Sequence, residues 1–395
     1  MVHNNVTDMS VAYPSDFQDI APCSDVDFKD TLVEMAEQPG FEHAMKYVIP
    51  ESEYPEFKRQ LLSSQNINDF QHRIAGGFLE YLAKKTTAGV STSGFENIDG
   101  RESHMFISNH RDIVLDAAFL NLCFIRHNKP ITQVAIGNNL LIYDWIRNLV
   151  RLNRSFIVKR NIKPLQALAA AKQLSAYIHY VITQRNESIW IAQREGRAKD
   201  SSDVTQESLL KMLTLGGGND AKEAIMELNI VPVSISYEYD PNDYLKAREF
   251  LMRRRDPDFK KSQHDDLFSM ETGILQFKGK VHFTLNAPIN KQLGSCTETN
   301  RNDVVRVVRE IIDREIHSGY QLYPINYIAY DELNGTNQFG DRYNSDEQAE
   351  VDAYLAKQEQ RVEVENMNDE EKAFVHRLFL KMYANPLINK LETQG

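Results

Sequence analysis

The 395-residue chain is expected to be an α/β protein: a mixed central sheet flanked by helices, with a helical N-terminal unit and a helical C-terminal extension. Three observations carry this expectation. Before residue 94 the apolar residues recur at helical spacing, without convincing strand-like alternation. From Gly94 onward, short apolar runs alternate with helix-length segments. The segment Asp341–Glu371 is predominantly acidic and leads into a last helical pattern. The expected divisions are 1–93, 94–330 and 331–395.

Each element follows from its residues. Leu32, Met35 and Ala36 form one short apolar face, and Phe70, Ile74, Phe78, Leu79 and Leu82 another. Strands are expected at Met105–Ser108, Thr132–Ala135, Ser155–Val158, Ser188–Ala192, Ile230–Tyr237 and Lys280–Leu285. Helices are expected at Asp112–Phe124, Leu140–Val150, Pro164–Arg185, Asn302–His317 and Ala373–Met382. Pro164 suits a first helical turn, where its missing N–H costs nothing. Gly216–Gly218 is a turn that lacks the Gly-Lys-Ser/Thr ending of a phosphate-binding loop.

Composition excludes several classes. A hydrophobic share of 42% with 26% charged residues is that of a globular protein, and a net charge of −11 opposes general nucleic-acid binding. Cys23, Cys123 and Cys296 are odd in number and dispersed, so they imply neither a disulfide framework nor a metal site; each reads as a free thiol in a reducing compartment. No His-x-x-x-His pattern accompanies them, and no metal is expected. The N-terminal stretch lacks the basic start and apolar run of a signal peptide. The longest apolar stretch, Ile113–Ile125, is interrupted by Asp116 and falls short of the roughly 20 residues of a spanning helix. These features predict a cytoplasmic protein, soluble or peripheral on the inner face of the membrane, with amphipathic Leu140–Val150 as a candidate contact surface.

The most informative stretch is Phe106–Asp116. A strand ends at Ser108 and a helix is expected from Asp112, which places Asn109 and His110 in a strand-to-helix turn, where sheet proteins of this kind put their chemistry. Asp112 suits an N-cap and Asp116 falls in the first turn. A histidine beside a carboxylate can act as a general base, the carboxylate fixing the tautomer and stabilising the imidazolium. The same residues would also serve as plain turn and helix-terminus groups. His110-Arg111-Asp112 is not a kinase catalytic loop: that motif needs an asparagine where Ala117 stands, and its companion motifs are missing. A second local signal is the run Arg147, Arg151, Arg154, Lys159, Arg160 and Lys163, which contains no acidic residue.

Four blocks, in order, resemble the glycerol-3-phosphate and lysophosphatidate acyltransferase superfamily across Gly94–Ile289. They are Asn109-His110-Arg111 with Asp116; Arg154-Ser155-Phe156-Ile157-Val158-Lys159-Arg160; Glu195-Gly196-Arg197; and Val231-Pro232-Val233-Ser234-Ile235. The resemblance implies a glycerolipid acyltransferase-like sheet. It implies that His110, oriented by Asp116, deprotonates an acceptor hydroxyl that attacks a fatty acyl thioester. The substrate hydroxyl would be the nucleophile, and the chain has no Gly-x-Ser-x-Gly elbow. The donor would be acyl-coenzyme A or acyl carrier protein as cosubstrate, with no further cofactor. The acceptor would be glycerol-3-phosphate or its 1-acyl form.

Arg160 stands where the family binds the acceptor phosphate, and the forked guanidinium suits that role. Arg154, Arg197 and Lys199 are further candidates, and Asn109, Arg111, Phe156, Glu195 and Gly196 would support the site. Pro232 and Val233 would shape an acyl-binding wall. Two departures leave choices open. Five residues separate His110 from Asp116 where the family has four, so Asp112 is an alternative partner. The third block is one residue short, so Arg197, Lys199 or Arg194 could supply its cation.

Overall fold

A computed structural model describes residues 12–98 and 102–394; the extreme N-terminus, including most of the stretch read against a signal peptide, lies outside the described residues. Seven strands form one mixed sheet: β1 (Gly89–Ser93), β2 (Met105–Ser108), β3 (Gln133–Gly137), β4 (Ser155–Val158), β5 (Ile189–Ala192), β6 (Ile230–Tyr237) and β7 (Lys280–Leu285). Their order is β1-β7-β6-β2-β5-β3-β4. Strands β2 to β6 run parallel, β7 runs antiparallel to β6, and β1 runs parallel to β7.

The period of two decides which residues meet which layer. On one face Met105, Ile107, Ile189, Ile191 and Ile230 pack with Tyr177 and Ile178 of the helix Pro164–Thr183, and with Val308 and Ile312 of the helix Arg301–Ser318. On the other, Phe106, Trp190, Val231 and Val233 pack against Phe119, Leu120 and Cys123 of the helix Leu115–Arg126. Both faces are covered, which is why β2 and β6 are buried along their whole length and read as continuous apolar runs.

At the N-terminal end, the helices Phe28–Glu37, Pro39–Val48 and Tyr54–Leu62 and the helical stretch from Ile67 to Thr86 build a third core. It gathers Phe28, Leu32, Phe41, Leu61 and Phe70, together with Leu152. At the other end, Pro324–Asn334, Ser345–Gln360 and Asp369–Glu392 pack around Ile328, Leu355 and Phe379. Tyr239 and the helix Asp243–Arg255 contribute Ala247 and Leu251 to that same core, so part of the central segment belongs physically to the C-terminal helices.

Three expectations need correction. A strand does precede residue 94: β1 is a short edge strand of Gly, Ser, Thr and one Val, too polar to show an apolar alternation. Pro232 and Val233 are buried within β6 and do not line the main cavity, so they do not form a wall of it. The helix expected at Leu140–Val150 spans Asp144–Leu152, buries Ile146 and Leu152, and sets Trp145 edge-on to Phe41, so its apolar face is covered by the N-terminal helices.

Lys278 is fully buried, its ammonium donating to the carbonyls of Ile274 (3.2 Å) and Gln276 (2.5 Å). Burial pushes its pKa down to about 8, against a smaller opposing pull from Asp112. Between pH 8 and the unfolded value of 10.5 the unfolded chain holds more protons, so stability rises with pH across that window. Below pH 8 both states are charged and the folded one bears the full desolvation cost. The gain from pH 8 to 10.5 is expected to be about 3 kcal/mol. Urea denaturation at a series of pH values checks it: Lys278→Met should flatten the alkaline limb.

Candidate active site

The parallel strands β2 to β5 end on one edge of the sheet, and the loops leaving them carry three of the four blocks. After β2 come Asn109 to Val114, after β4 Lys159 and Arg160, and after β5 Gln193 to Lys199. A crevice outside the carboxyl ends of parallel strands is where open sheets bind ligands.

The turn after β2 is built around Asp116. The helix begins at Leu115 rather than Asp112, so the turn is longer than expected and Asp116 sits one residue inside the helix. Its Oδ2 accepts from His110 Nδ1 (2.7 Å) and from the backbone N–H groups of Arg111 (2.6 Å) and Asp112 (3.1 Å). Asp116 is fully buried, and its Oδ1 meets no partner in hydrogen-bonding geometry among the described residues. Burial and the Asp116 charge push the nearby Tyr237 phenol well above its ordinary pKa, which keeps it neutral. With Nδ1–H directed at a carboxylate, Nε2 is the ring nitrogen left for a substrate proton. The imidazole is 14% exposed and stands edge-on to Trp190, with 5.7 Å between ring centroids.

Asp112 has a different task. Its Oδ1 accepts from the N–H groups of Val114 (2.8 Å) and Leu115 (2.7 Å), and its Oδ2 accepts from Asn242 (3.2 Å). It therefore braces the start of the helix and does not pair with His110. Burial, and then the Asp116 charge, raise its pKa. Gly273 is required opposite: a Cβ there would overlap the Asp112 carboxylate.

Other members of the first block hold the turn. Asn109 is buried and locked to β6, its amide donating to Ile235 O (2.9 Å) and accepting from Ile235 N–H (2.8 Å). Arg111 points inward and makes a forked ion pair with Asp203 (2.7 and 2.5 Å), which also accepts from the Tyr320 hydroxyl (2.6 Å). Burial works against the guanidinium charge, but Asp203, Tyr320 and Asp240 together more than offset it and hold the pKa above its ordinary value. Lys246, also buried, donates to Arg111 O (3.2 Å) and to Asp240 (2.5 Å). Asp203, Asn242, Lys246 and Tyr320 were not singled out in the sequence. They come from distant segments and match no local pattern, so no signal in the sequence marks them.

A cavity of about 1790 Å³ opens onto His110. Arg160, Arg194, Glu195, Gly196, Arg197 and Lys199 are among its polar lining. Its apolar part runs among the N-terminal helices, where Phe41, Phe57, Phe70, Ile74, Phe78 and Trp145 line it. The volume exceeds the roughly 300–1,000 Å³ of a site for one small ligand.

The candidate cations separate by what holds them. Arg160 lines the cavity and, among the described residues, pairs only with Glu195, which is 66% exposed on its loop and free to yield to an incoming anion. Arg197 lines the cavity with its Nη1 buried and without a hydrogen-bond partner among the described residues, a donor that an anionic ligand would satisfy. Lys199 lines the cavity but pairs with the buried Glu249 of the helix Asp243–Arg255. Arg154 does not line it: with a left-handed φ of 55° it turns away to pair with the buried Glu187. Phe156 is a core residue. Gly196 lines the cavity with φ at +71° and open space where a Cβ would stand, so backbone conformation, not crowding, calls for glycine there.

Residues 89–236 match the family model described as Acyltransferase. That segment, 148 of the 395 residues, is an acyltransferase domain by this match. Among solved structures it is similar to the 1-acyl-sn-glycerophosphate (LPA) acyltransferase PlsC from Thermotoga maritima. That likeness has 15% identity, 73% of this chain and 95% of that one covered, and a TM-score of 0.32. No curated protein matches the chain.

Proposed function

We propose that the protein transfers a fatty acyl group from a thioester donor to the hydroxyl of glycerol-3-phosphate or 1-acyl-glycerol-3-phosphate. One observation carries this reading. A single cavity joins a buried histidine–aspartate pair, two guanidiniums available to an anion, and a long apolar arm. A phosphorylated glycerol with a fatty chain has the same three parts.

In this reaction His110 Nε2 takes the proton of the acceptor hydroxyl as its oxygen attacks the thioester carbon. The tetrahedral intermediate collapses, the C–S bond breaks, and the imidazolium returns its proton to the departing thiolate. Asp116 holds Nδ1–H throughout and stabilises the imidazolium, so neither an acyl-enzyme nor a metal is needed. Arg160 and Arg197 hold the acceptor phosphate. The apolar arm takes the acyl chain, and the donor is acyl-coenzyme A or acyl carrier protein.

The test is to incubate purified protein with palmitoyl-coenzyme A or palmitoyl acyl carrier protein and each acceptor, following thiol release and lipid product. Acceptor-dependent product from one pairing supports the reading, and none from any pairing of folded protein defeats it. Arg160→Ala should raise KM for the phosphorylated acceptor by about 10- to 100-fold, the loss of a charge-assisted hydrogen-bonding partner. An acceptor without phosphate should be used equally well by both forms.

A further inference from the structure

The helix Pro164–Thr183 carries two different faces. Ala167, Ala170, Ala171 and Leu174, at helical spacing, line the cavity. Leu165, Leu168 and Lys172 form a stripe on the opposite side. Leu165 is 97% exposed and Leu168 58%, and every residue from Lys163 to Ala169 is exposed, so the first turns project beyond the body of the protein. Exposed leucines at successive turns, with nothing polar beyond Gln166 until Lys172, form an apolar surface facing water.

The charge around this surface has one sign. From Trp145 to Asn186 the chain has no acidic residue, although its net charge is −11. Lys159 is neutralised by Asp19 and Arg160 by Glu195. Lys163, Lys172 and Arg147 are exposed and have no ion-pair partner among the described residues. A second copy docked on the stripe by a twofold axis would bring lysines against lysines. An anionic lipid surface receives both the leucines and the lysines. No helix among the described residues is long and apolar enough to cross a membrane, so lipid contact by a helix must be made from a surface.

We infer that the start of the helix Pro164–Thr183 is an interfacial lip: Leu165 and Leu168 insert into an anionic lipid surface that Lys163 and Lys172 attract, while the inner face of the same helix walls the cavity. The inference rests on the acyltransferase reading for its purpose, because a lipid acceptor or product would then pass between bilayer and cavity along one helix. It places the contact away from Leu140–Val150, a stretch that the sequence offered either as a contact surface or as a buried helix and that packs against the N-terminal helices.

Vesicle flotation tests it without turnover, using phosphatidylcholine vesicles with and without phosphatidylglycerol. The wild-type chain should float only with the anionic vesicles, less so at high salt. Leu165→Asp with Leu168→Asp should weaken binding by about tenfold or more. Val26→Asp, at an equally exposed apolar residue elsewhere, should leave it unchanged. Should the leucine variant fail to fold, Lys163→Glu with Lys172→Glu takes its place and should also abolish flotation. Wild-type protein that does not float, or variants that float as it does, would overturn the inference. So would a wild-type dimer that the leucine variant turns into a monomer, which assigns the stripe to a second copy. His110→Ala should float like wild type, so a failed acyl-transfer assay and a failed lip are told apart.

Discussion

Replacing His110 by alanine is expected to lower kcat by about 10²- to 10⁴-fold, the range of general-base catalysis, while leaving the affinity for a phosphorylated acceptor within a few-fold of wild type. The expectation follows from where the imidazole stands. It lines the cavity, its Nδ1 is held by Asp116, and the guanidiniums proposed to hold the phosphate belong to other loops. Asp116→Asn should lose a comparable factor by a different route. The amide cannot stabilise the imidazolium, and it leaves the N–H groups of Arg111 and Asp112 competing for one weaker acceptor. Asp112→Asn should lose far less, because that carboxylate serves the helix start and Asn242 rather than the imidazole. Single-turnover rates and equilibrium binding of the acceptor, measured side by side, separate the three. Equal losses in Asp112→Asn and Asp116→Asn would contradict the assignment of Asp116.

Arg111→Leu is expected to destabilise the fold by about 3–5 kcal/mol, the typical result of leaving a buried charge without its partner. Asp203 would remain buried with only the Tyr320 hydroxyl on its carboxylate. The double change Arg111→Leu with Asp203→Leu should recover part of the loss, since it removes the stranded charge. Urea denaturation of the four forms gives the coupling directly. The pair joins the turn behind His110 to a loop after β5 and to Tyr320. Variants that fold should therefore also show a lower kcat, more than stability alone explains at a temperature where they remain folded.

Much of the sheet was legible because its strands carry a strong local signal. β2, β4, β6 and β7 fall on the expected residues, each an apolar or alternating run bounded by turn residues. The sequence could not show β1, whose polar residues suit a strand at the sheet's edge. Nor could it show the helices Asp243–Arg255 and Gln263–Leu275. The first buries Asp243, Lys246 and Glu249 beside its apolar residues, so its inward face looks like a solvated one. Buried charges of this kind are stable only with partners from other segments, and pattern reading along one chain cannot supply them.

By itself, the sequence determined the class of sheet, the order of the four blocks and the residue types at the site, since these follow from local periodicity and from chemistry that needs a histidine, a carboxylate and guanidiniums. Tertiary structure decided which members of each block meet at the cavity. It set Asp116 against the imidazole, the partner favoured once Asp112 is read as a cap, because the helix starts at Leu115 and brings the second carboxylate to Nδ1. It separated Arg160 and Arg197 from Arg154 and Lys199, because the latter two are paired with buried carboxylates, Glu187 and Glu249. A buried carboxylate takes the cation that lies nearest in space, and nearness in space is fixed only when distant segments pack.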